Sequence, residues 1–322
     1  MIEASCDFLE CTVAAERQGE MLAALPGGVQ WLDRGWRGYT HSGLIASGKG
    51  RVGWSPGRPE MGFHISVGSQ ALGVLAGLDD RWADVPGMLS YIRGELGGHA
   101  TRFDLAWDDR EGVLDLDVIE EALETGAYTS RWRGGRVVKG WGCQTGRTFY
   151  LGSSRSDAML RAYDKAEERA AKGEQVDGPW VRVEVQFRRK RADAIAALFE
   201  TVKEEAAAVF SYLAGVLRGY IEFKEPNPSD SNKRRWPVAS WWARFLGFVE
   251  KARLAVVDKV VKTVAHVQAW VTEQVAPSLA VLEEALGFDR AWAWLYGAAR
   301  DGKGRLRARH RAIIAASQPA GA

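Results

Sequence analysis

The sequence is poor in cysteine and has no long apolar run. Its 322 residues include three cysteines, Cys6, Cys11 and Cys143, and no Cys-x-x-Cys pair, so neither a zinc ribbon nor a disulfide framework is indicated. We expect buried or free thiols. No uncharged stretch approaches the roughly 20 residues of a membrane-spanning helix, and the N-terminus carries acids where a secretory signal would carry cations. These absences predict a cytoplasmic protein without membrane association.

Several catalytic templates are also missing. There is no Gly-x-x-x-x-Gly-Lys-Ser/Thr loop, which argues against ATP-driven chemistry, and no Ser/His/Asp or Cys/His arrangement stands out. The five histidines are scattered, so a metal site built from histidines is disfavoured. The formal net charge of +2 is too small to indicate nucleic acid by itself. Any functional signal must come from how the charged residues are distributed.

The residue patterns predict an α+β protein with two domains. Up to about residue 190, short alternating segments separated by Gly-rich turns are typical of an antiparallel sheet with a few helices, and from Ala192 onward helical periodicity dominates. We therefore predict a sheet-rich catalytic domain over residues 1–190 and a mainly helical domain over 191–322 that serves DNA binding or oligomerisation. Residues 316–322 are small and polar, and we expect them to be disordered.

Three predicted strands carry the same kind of polar alternation. They contain Arg102-Phe103-Asp104, Arg161-Ala162-Tyr163-Asp164-Lys165 and Arg182-Val183-Glu184. Alternate residues of a strand share a face. If the three strands are neighbours, their polar side chains converge on one face while the valines between them fill the core. The converging residues would be Arg102, Asp104, Arg161, Tyr163, Lys165, Arg182 and Glu184.

A phenol, two carboxylates and several cations suit the transfer of a phosphodiester. Attack by Tyr163 would give a phosphotyrosine bond that conserves the energy of the cut strand, and Arg161 and Lys165 would favour its phenolate. Asp104 and Glu184 would then be oxygen ligands for Mg²⁺ or Mn²⁺. The structural alternative is a tyrosine packed in a strand and Arg-x-acid segments that form cross-strand salt bridges.

Other residues extend the predicted site. His99 is an option for a third metal ligand, against a simple loop or surface role. Trp132, in a region rich in Gly and Arg, is a candidate for base stacking, although tryptophans are more often part of the core. A charged cluster is usually a solvated face. The predicted phosphate or DNA contacts are Arg102, Arg182, Arg131, Arg133, Trp132, Arg155, Lys233, Arg234 and Arg235.

The order of these segments resembles the replication initiation factor (Rep_trans) family. That family comprises rolling-circle initiators of plasmids and filamentous phages, with related relaxases of conjugative elements. The most specific likeness is residues 148–157 followed by 160–168, which contain Tyr-Leu-Gly-Ser and Tyr-Asp-Lys. The two Arg-x-acid segments are similar too, as are residues 6–9 and 241–246, so the likeness covers roughly residues 5–250.

The resemblance implies a specific reaction. Tyr163 would nick one strand at an origin hairpin and stay attached to the new 5′ phosphate, with Asp104 and Glu184 as metal ligands and a host helicase as a partner. Only one tyrosine occupies the motif, so a second cleavage would need another subunit, as in a homodimer, another residue such as Tyr150, or water. Two alternatives stay open: a relaxase for conjugative transfer, with identical chemistry, and a non-catalytic DNA-binding regulator with the same fold.

Overall fold

The structure, a computed structural model, describes residues 3–141, 146–201, 206–247, 268, 271–306 and 314. The chain divides into two compact units, Met1–Val256 and Val257–Ala322. In the described part of the chain, no helix has the length and the apolar character needed to cross a membrane. Cys6 and Cys11 are free thiols, as expected, whereas Cys143 lies outside the described residues.

The first unit is built on a large antiparallel sheet. The strands are β1 Glu3–Val13, β2 Gln30–Leu32, β3 His41–Ile45, β4 Gly50–Trp54, β5 Phe63–Gly68, β6 His99–Asp109, β7 Tyr128–Ser130, β8 Gly135–Lys139, β9 Arg147–Leu151, β10 Ala158–Asp164, β11 Val181–Arg188 and β12 Ile221–Phe223. Ten of them form one sheet in the order β2-β3-β4-β5-β1-β6-β11-β10-β9-β8, and β12 pairs with β7 in a separate ribbon. β1 therefore joins the N-terminal strands to the rest of the sheet.

Alternation along the strands gives this sheet an apolar face and a polar face. In β11, the side chains of Val183, Val185 and Phe187 are at most 2% exposed and belong to the core, as the sequence pattern predicted. Their neighbours Arg182 and Glu184 are also buried, but on the opposite face. The polar face is thus enclosed in places, and its charged groups must find partners there.

The helices of the first unit surround this sheet. They are α1 Gln18–Ala24, α2 Ser69–Ala76, α3 Val85–Leu89, α4 Leu116–Glu124, α5 Lys165–Ala170, α6 Lys190–Thr201, α7 Ala206–Tyr220 and α8 Ser240–Phe245. α6 packs on β6, where the rings of Phe199 and Phe103 stack with centroids 5.4 Å apart. The domain boundary predicted near residue 190 falls at the start of α6, inside the first unit. The apolar face of the sheet needs this helix as its cover.

The second unit is helical in its described part. It contains α9 Ala276–Leu286 and α10 Phe288–Gly302, which correspond to the helical periodicity seen in the sequence. Gly287 joins them with φ of 79°, a left-handed conformation that glycine adopts without strain. Within the predicted helical domain, residues 248–267 and the tail 316–322 lie outside the described residues. The sheet of the first unit and the helices that follow it confirm the α+β class.

Candidate active site

The three predicted strands are neighbours in the sheet. β11 lies between β6 and β10, so the expected convergence of their polar residues is confirmed. Directly opposite residues of antiparallel strands project to the same side. Arg161 lies opposite Glu184, and Tyr163 lies opposite Arg182. Asp104 of β6 is a diagonal neighbour of Glu184, two residues from its direct partner, a spacing of roughly 7–8 Å between Cα atoms.

Tyr163 lies where β10 ends and α5 begins. The carboxylate of Asp164 caps the helix by accepting a hydrogen bond from the N–H of Glu167 at 2.8 Å. Such a cap satisfies one of the free N–H groups of the first helical turn. The backbone N–H of Lys165 donates to the carbonyl of Trp180 at 2.7 Å, which ties the junction to the segment entering β11. This strand-to-helix junction fixes the position of Tyr163.

Two carboxylates without exposed surface lie on the same face of the sheet as Tyr163. Asp104 accepts hydrogen bonds from Arg102, at 2.8 Å from Nε, and from Gln186, at 3.2 Å. Glu184 accepts a hydrogen bond from Arg161 at Oε1, whereas its Oε2 is buried without a partner among the described residues. Burial raises the pKa of Glu184 to about 7; the Arg161 guanidinium opposes this rise and the Asp104 carboxylate adds to it.

The phenol of Tyr163 is half-buried between two cations. The Arg161 guanidinium lies 5.8 Å from the ring centroid, and the Lys165 ammonium lies 5.6 Å from it. We expected these cations to favour the phenolate, but the pKa of Tyr163 is raised well above its ordinary value. Burial is the largest cause and the Glu184 charge adds to it, so the lowering by Arg182 and Arg161 is overcome. Arg161 thus favours the phenolate, as expected, but burial has the larger effect on the pKa.

Tyr163 lines a cleft of about 450 Å³ on the polar face. The lining residues come from the N-terminal strands and from β9, β10 and α5: Asp7, Phe8, Lys49, Gly68, Ser69, Gln70, Thr148, Tyr150, Arg161, Tyr163, Lys165, Glu168, Arg169 and Lys172. Five of them are cations and two are acids. Lys165 and Lys172 both pair with Glu168, whereas Lys49 forms no ion pair with another described residue. The cleft therefore offers positive charge to an anionic ligand.

Arg182 has a different place from the one expected. Its guanidinium donates two hydrogen bonds to Asp108, at 2.7 and 2.6 Å, and pairs with Asp7 as well. It is buried and does not line the cleft, where a phosphate would lie. Sequence reasoning missed both acids. Asp108 continues the alternation that begins at Arg102 and Asp104, so counting further along β6 would have found it. Asp7 lies at an irregularity of β1, between Cys6 and Phe8, which no sequence pattern revealed.

The two buried carboxylates fit a hard divalent cation. The unpartnered Oε2 of Glu184 is a free oxygen ligand, and Asp104 accepts three hydrogen bonds of the roughly four that a carboxylate can accept. No group of three acidic, histidine or cysteine side chains among the described residues is arranged to hold a metal. Mg²⁺ commonly takes one or two protein carboxylates and completes its shell with water and phosphate.

His99 is not placed to be a third ligand. It lies five residues before Asp104 in the same strand, a distance of about 16 Å at 3.3 Å per residue. It is opposite Thr12, at the far end of β6 from the Tyr163 cleft. The option of a histidine ligand is therefore wrong.

The remaining predicted DNA contacts do not line the cleft in the part of the chain that the structure describes. Trp132 is half-buried, and its indole N–H donates to the carbonyl of Ala158 at 2.8 Å, so it anchors the turn before β10. Gly152 is needed there, because a Cβ would come within 2.6 Å of the indole. The other predicted contacts are exposed on loops or turns: Arg131, Arg133, Arg155, Lys233, Arg234 and Arg235.

Three of these exposed cations have local partners. Arg235 donates to Asp230 at 2.7 Å, and Lys233 donates to the carbonyl of Gly126 at 2.6 Å. Arg131 lies over the ring of Tyr220, 5.2 Å from its centroid. Surface pairs of this kind are weak and can exchange for phosphate.

The chain is similar to known proteins. Residues 98–295 match the family described as "Replication initiation factor". The chain is 29% identical over 198 residues to the "Putative DNA relaxase NicK" of Bacillus subtilis, a match that covers 59% of this chain and 54% of the relative. The chain thus spans about half the length of that curated relative. A solved structure, a rolling circle replication initiator protein from Geobacillus stearothermophilus, superposes with a TM-score of 0.68 at 25% identity and covers 79% of this chain and 99% of its own.

Proposed function

Because the chain belongs to the replication initiation factor family, we propose that it starts rolling-circle DNA replication by nicking one strand with Tyr163. The observation that carries the proposal is the position of Tyr163 on a cationic cleft, next to a buried carboxylate with an unpartnered oxygen. The match to a replication initiator supports the role in replication. We assign the reaction to the cytoplasm.

The proposed step exchanges one phosphorus–oxygen bond for another. The phenolic oxygen of Tyr163 bonds to the phosphorus, the bond from phosphorus to the 3′ oxygen breaks, and its electron pair leaves with that oxygen. The phenol loses a proton and the 3′ oxygen gains one, so no water or nucleotide is consumed. The 5′ end stays attached as a phosphotyrosine, from which the strand can later be rejoined.

Because the pKa of Tyr163 is raised, its neighbours must help the phenol to lose its proton during the reaction. Little phenolate is present at neutral pH, so the proton has to leave as the bond to phosphorus forms. Arg161 and Arg182 stabilise the developing negative charge, because both lower the pKa of this phenol. Arg161 lines the cleft and can also reach a phosphate, whereas Arg182 is buried opposite Tyr163 on the neighbouring strand.

Glu184 and Asp104 would hold a Mg²⁺ or Mn²⁺ ion. A bound ion of this kind supplies Lewis-acid polarisation of the phosphate oxygens. The two side chains contribute in different ways: Glu184 offers an oxygen that has no other partner, and Asp104 is fixed by Arg102 and Gln186.

The cleft would bind single-stranded DNA next to an origin hairpin. Lys49, Arg169 and Lys172 provide charge around Tyr163, and the exposed cations on the loops would extend the contact to the hairpin. Binding of this kind weakens steeply with salt, because each neutralised phosphate releases counterions. We assign DNA binding or oligomerisation to the helices of the second unit. A homodimer partner would supply the second tyrosine for a second cleavage, and a host helicase would follow the nick.

The likeness to a putative DNA relaxase favours a second candidate function, a relaxase for conjugative transfer. Its chemistry at Tyr163 would be the same. The distinction lies in the DNA: a replication initiator allows a plasmid carrying its origin to replicate, and a relaxase allows a plasmid carrying its nick site to be transferred.

A cleavage assay on a supercoiled origin plasmid tests the proposal. The wild-type protein should nick and form a covalent adduct in Mg²⁺ or Mn²⁺ but not in EDTA, and Tyr163→Phe should do neither. Tyr150→Phe is the matched control, since Tyr150 lines the same cleft, and it should retain the first nick and the adduct. An adduct formed by Tyr163→Phe would refute the nucleophile. DNA binding without any cleavage would indicate the non-catalytic regulator instead.

A further inference from the structure

The polar face of the sheet continues beyond the cleft into the N-terminal strands. Phe8 of β1 lies opposite Gly68 of β5, and both line the cleft. Two residues away along the same strands, Glu10 lies opposite Ser66, and Arg51 of β4 lies opposite Ser66 on its other side. Because alternate residues of a strand share a face, Arg51, Ser66 and Glu10 form a polar row next to the cleft, roughly 7 Å away along the strands.

A two-residue turn lies against this polar row. Trp36 and Tyr39 exchange two backbone hydrogen bonds, of 3.0 and 2.9 Å, around the turn residues Arg37 and Gly38. Both turn residues have a positive φ, 49° for Arg37 and 85° for Gly38. Turns of this kind favour Asn, Asp or Gly at the first position, so an arginine is held there at a cost in free energy. The ring of Tyr39 stacks on that of His64 in β5, with centroids 5.7 Å apart, which fixes the turn on the polar face.

Two guanidinium groups lie over the indole of Trp36. That of Arg37 is 4.7 Å from the ring centroid, and that of Arg51 is 5.3 Å from it. Trp36 and Arg51 are half-buried, whereas 47% of the Arg37 side chain is exposed. A contact with the face of a ring holds a guanidinium in place but does not satisfy its N–H donors. The two arginines therefore present N–H groups at one aromatic platform.

The acid of this surface balances only part of its positive charge. Glu10 pairs with Arg37 and accepts a hydrogen bond from Ser66 at 3.2 Å. Its other oxygen lies 4.0 Å from Nε2 of His64, whose pKa is lowered by burial, so this imidazole is uncharged at neutral pH. Arg51 forms no ion pair with another described residue, and its Nε is buried without a hydrogen-bond partner among them. A buried donor without a partner is costly, and an anion bound at this guanidinium would offset that cost.

Lys49 connects this surface to the cleft. It lines the cleft and lies two residues before Arg51, directly ahead of β4. In an extended chain that spacing is roughly 7 Å. Neither cation forms an ion pair with another described residue, so the positive charge continues from the cleft to the Trp36 turn. A DNA strand that crosses the cleft and passes Lys49 therefore meets Arg51 and Arg37 next.

We propose that Arg51 and Arg37, held at Trp36, bind a second phosphate of the DNA, outside the cleft on the strand that leaves it past Lys49. The inference rests on the proposed function, since it requires DNA in the cleft. Arginine suits this role because its planar guanidinium can donate two parallel N–H bonds to a phosphate. The contact determines the direction in which the strand leaves Tyr163 and the length of DNA that the protein requires.

The test is a binding measurement with the full-length Tyr163→Phe protein and single-stranded oligonucleotides that cover the nick site mapped in the cleavage assay. The oligonucleotides are lengthened one nucleotide at a time, on the 5′ side or on the 3′ side. At one length, binding should tighten and the slope of log K against log salt concentration should steepen by about 0.7, the value for one phosphate contact with a single strand. This slope corresponds to about a fivefold change in affinity for each tenfold change in salt concentration.

Arg51→Gln in the same protein should lose both the gain in affinity and the steeper slope, and it should bind the shorter oligonucleotides unchanged. Arg51→Lys keeps the charge and should keep the slope. Arg81→Gln is the matched control. The Arg81 guanidinium also lies over an aromatic ring, that of Tyr91, at 5.4 Å, but it belongs to the segment Asp80–Trp82, which packs on α2 and α3. This variant should keep both gains.

An unchanged slope and an unchanged length dependence in Arg51→Gln overturn the inference while nicking by the wild-type chain remains intact. If Arg51→Gln lowers the melting temperature, photo-cross-linking of the Tyr163→Phe protein takes its place. A thiothymidine at the position where binding tightens should then cross-link within residues 36–51, and a cross-link only to other residues overturns the inference. Failure of the wild-type chain to bind or nick DNA overturns the proposed function and this contact together.

Discussion

Glu184 should make the metal-free protein less stable as the pH rises. Its side chain has no exposed surface, and burial raises its pKa from 4.5 to about 7. An acid with a raised pKa holds its proton more tightly in the folded state than in the unfolded state. The contribution of Glu184 to the free energy of unfolding is therefore complete below about pH 4.5. It falls as the Glu184 carboxyl of the unfolded state ionises, and it is lost once the pH reaches about 7.

The magnitude follows from the two pKa values. Their difference, 7 − 4.5, is 2.5, and at 1.36 kcal/mol for each pKa unit the loss is about 3 kcal/mol between pH 4.5 and pH 7. Replacing Glu184 by glutamine removes the titrating group and keeps the shape of the side chain. The free energy of unfolding of Glu184→Gln should therefore rise relative to that of the wild type by up to about 3 kcal/mol over this range.

Denaturant unfolding in EDTA at several pH values measures this difference. Glu222→Gln is a suitable control, because Glu222 is equally buried but has both oxygens paired, with Arg218 at 2.7 Å and Lys224 at 2.8 Å. It should lower stability at every pH, since it weakens a satisfied buried ion pair. Parallel pH profiles for the wild type and Glu184→Gln would refute the reasoning. Added Mg²⁺ should stabilise the wild type more at pH 8 than at pH 5 and should stabilise Glu184→Gln little, because binding requires the ionised carboxylate.

Three further results are expected. Lys49→Ala should weaken binding of single-stranded DNA and reduce the slope of log K against log salt concentration by about 0.7, the value for one phosphate contact. Arg17→Ala is the control, because Arg17 is an exposed cation outside the cleft, and it should leave the slope unchanged. An unchanged slope for Lys49→Ala would show that Lys49 does not contact the DNA. Phe199→Ala should lower the free energy of unfolding by about 3–5 kcal/mol, because it leaves a cavity between α6 and the sheet. A decrease of less than about 1 kcal/mol would contradict that packing. The nicking rate should keep rising with pH above 8, since the pKa of Tyr163 is raised, and a plateau below pH 8 would show that the phenol is already ionised.

The strands that carry the site could be predicted, because a strand with one polar face leaves a local pattern in the sequence. In β11, valines alternate with Arg182 and Glu184, and a period of two is visible in any sequence that forms a half-polar strand. The prediction that β6, β11 and β10 are neighbours followed from matching patterns, although 48 residues separate the end of β6 from the start of β10 and 71 residues separate it from the start of β11. The family resemblance supplied the rest of the assignment.

Ionic partners were harder to predict, because they depend on register. The structural alternative of a cross-strand salt bridge holds for Arg161 and Glu184, and Arg102 pairs with Asp104 in its own strand. Neither the bulge that places Asp7 beside Arg182 nor the hairpin that brings Lys49 to the cleft leaves a pattern in the sequence. The net rise in the pKa of Tyr163 was not predicted for a related reason: adjacent cations are visible in the sequence, but burial is not.

The position of β1 has a consequence for how this protein can be divided. β1 pairs with β5 on one side and with β6 on the other, yet it lies outside residues 98–295, the part that matches the family. A fragment cut at residue 98 would leave the long edge of β6 without a partner, with the backbone beside Asp104 open to other chains, and such edges promote aggregation. It would also lack the cleft wall formed by Lys49 and Phe8. The segment that matches the family is thus smaller than the unit that forms the sheet and the cleft, and residues 1–97 should be kept in any fragment or fusion of this protein.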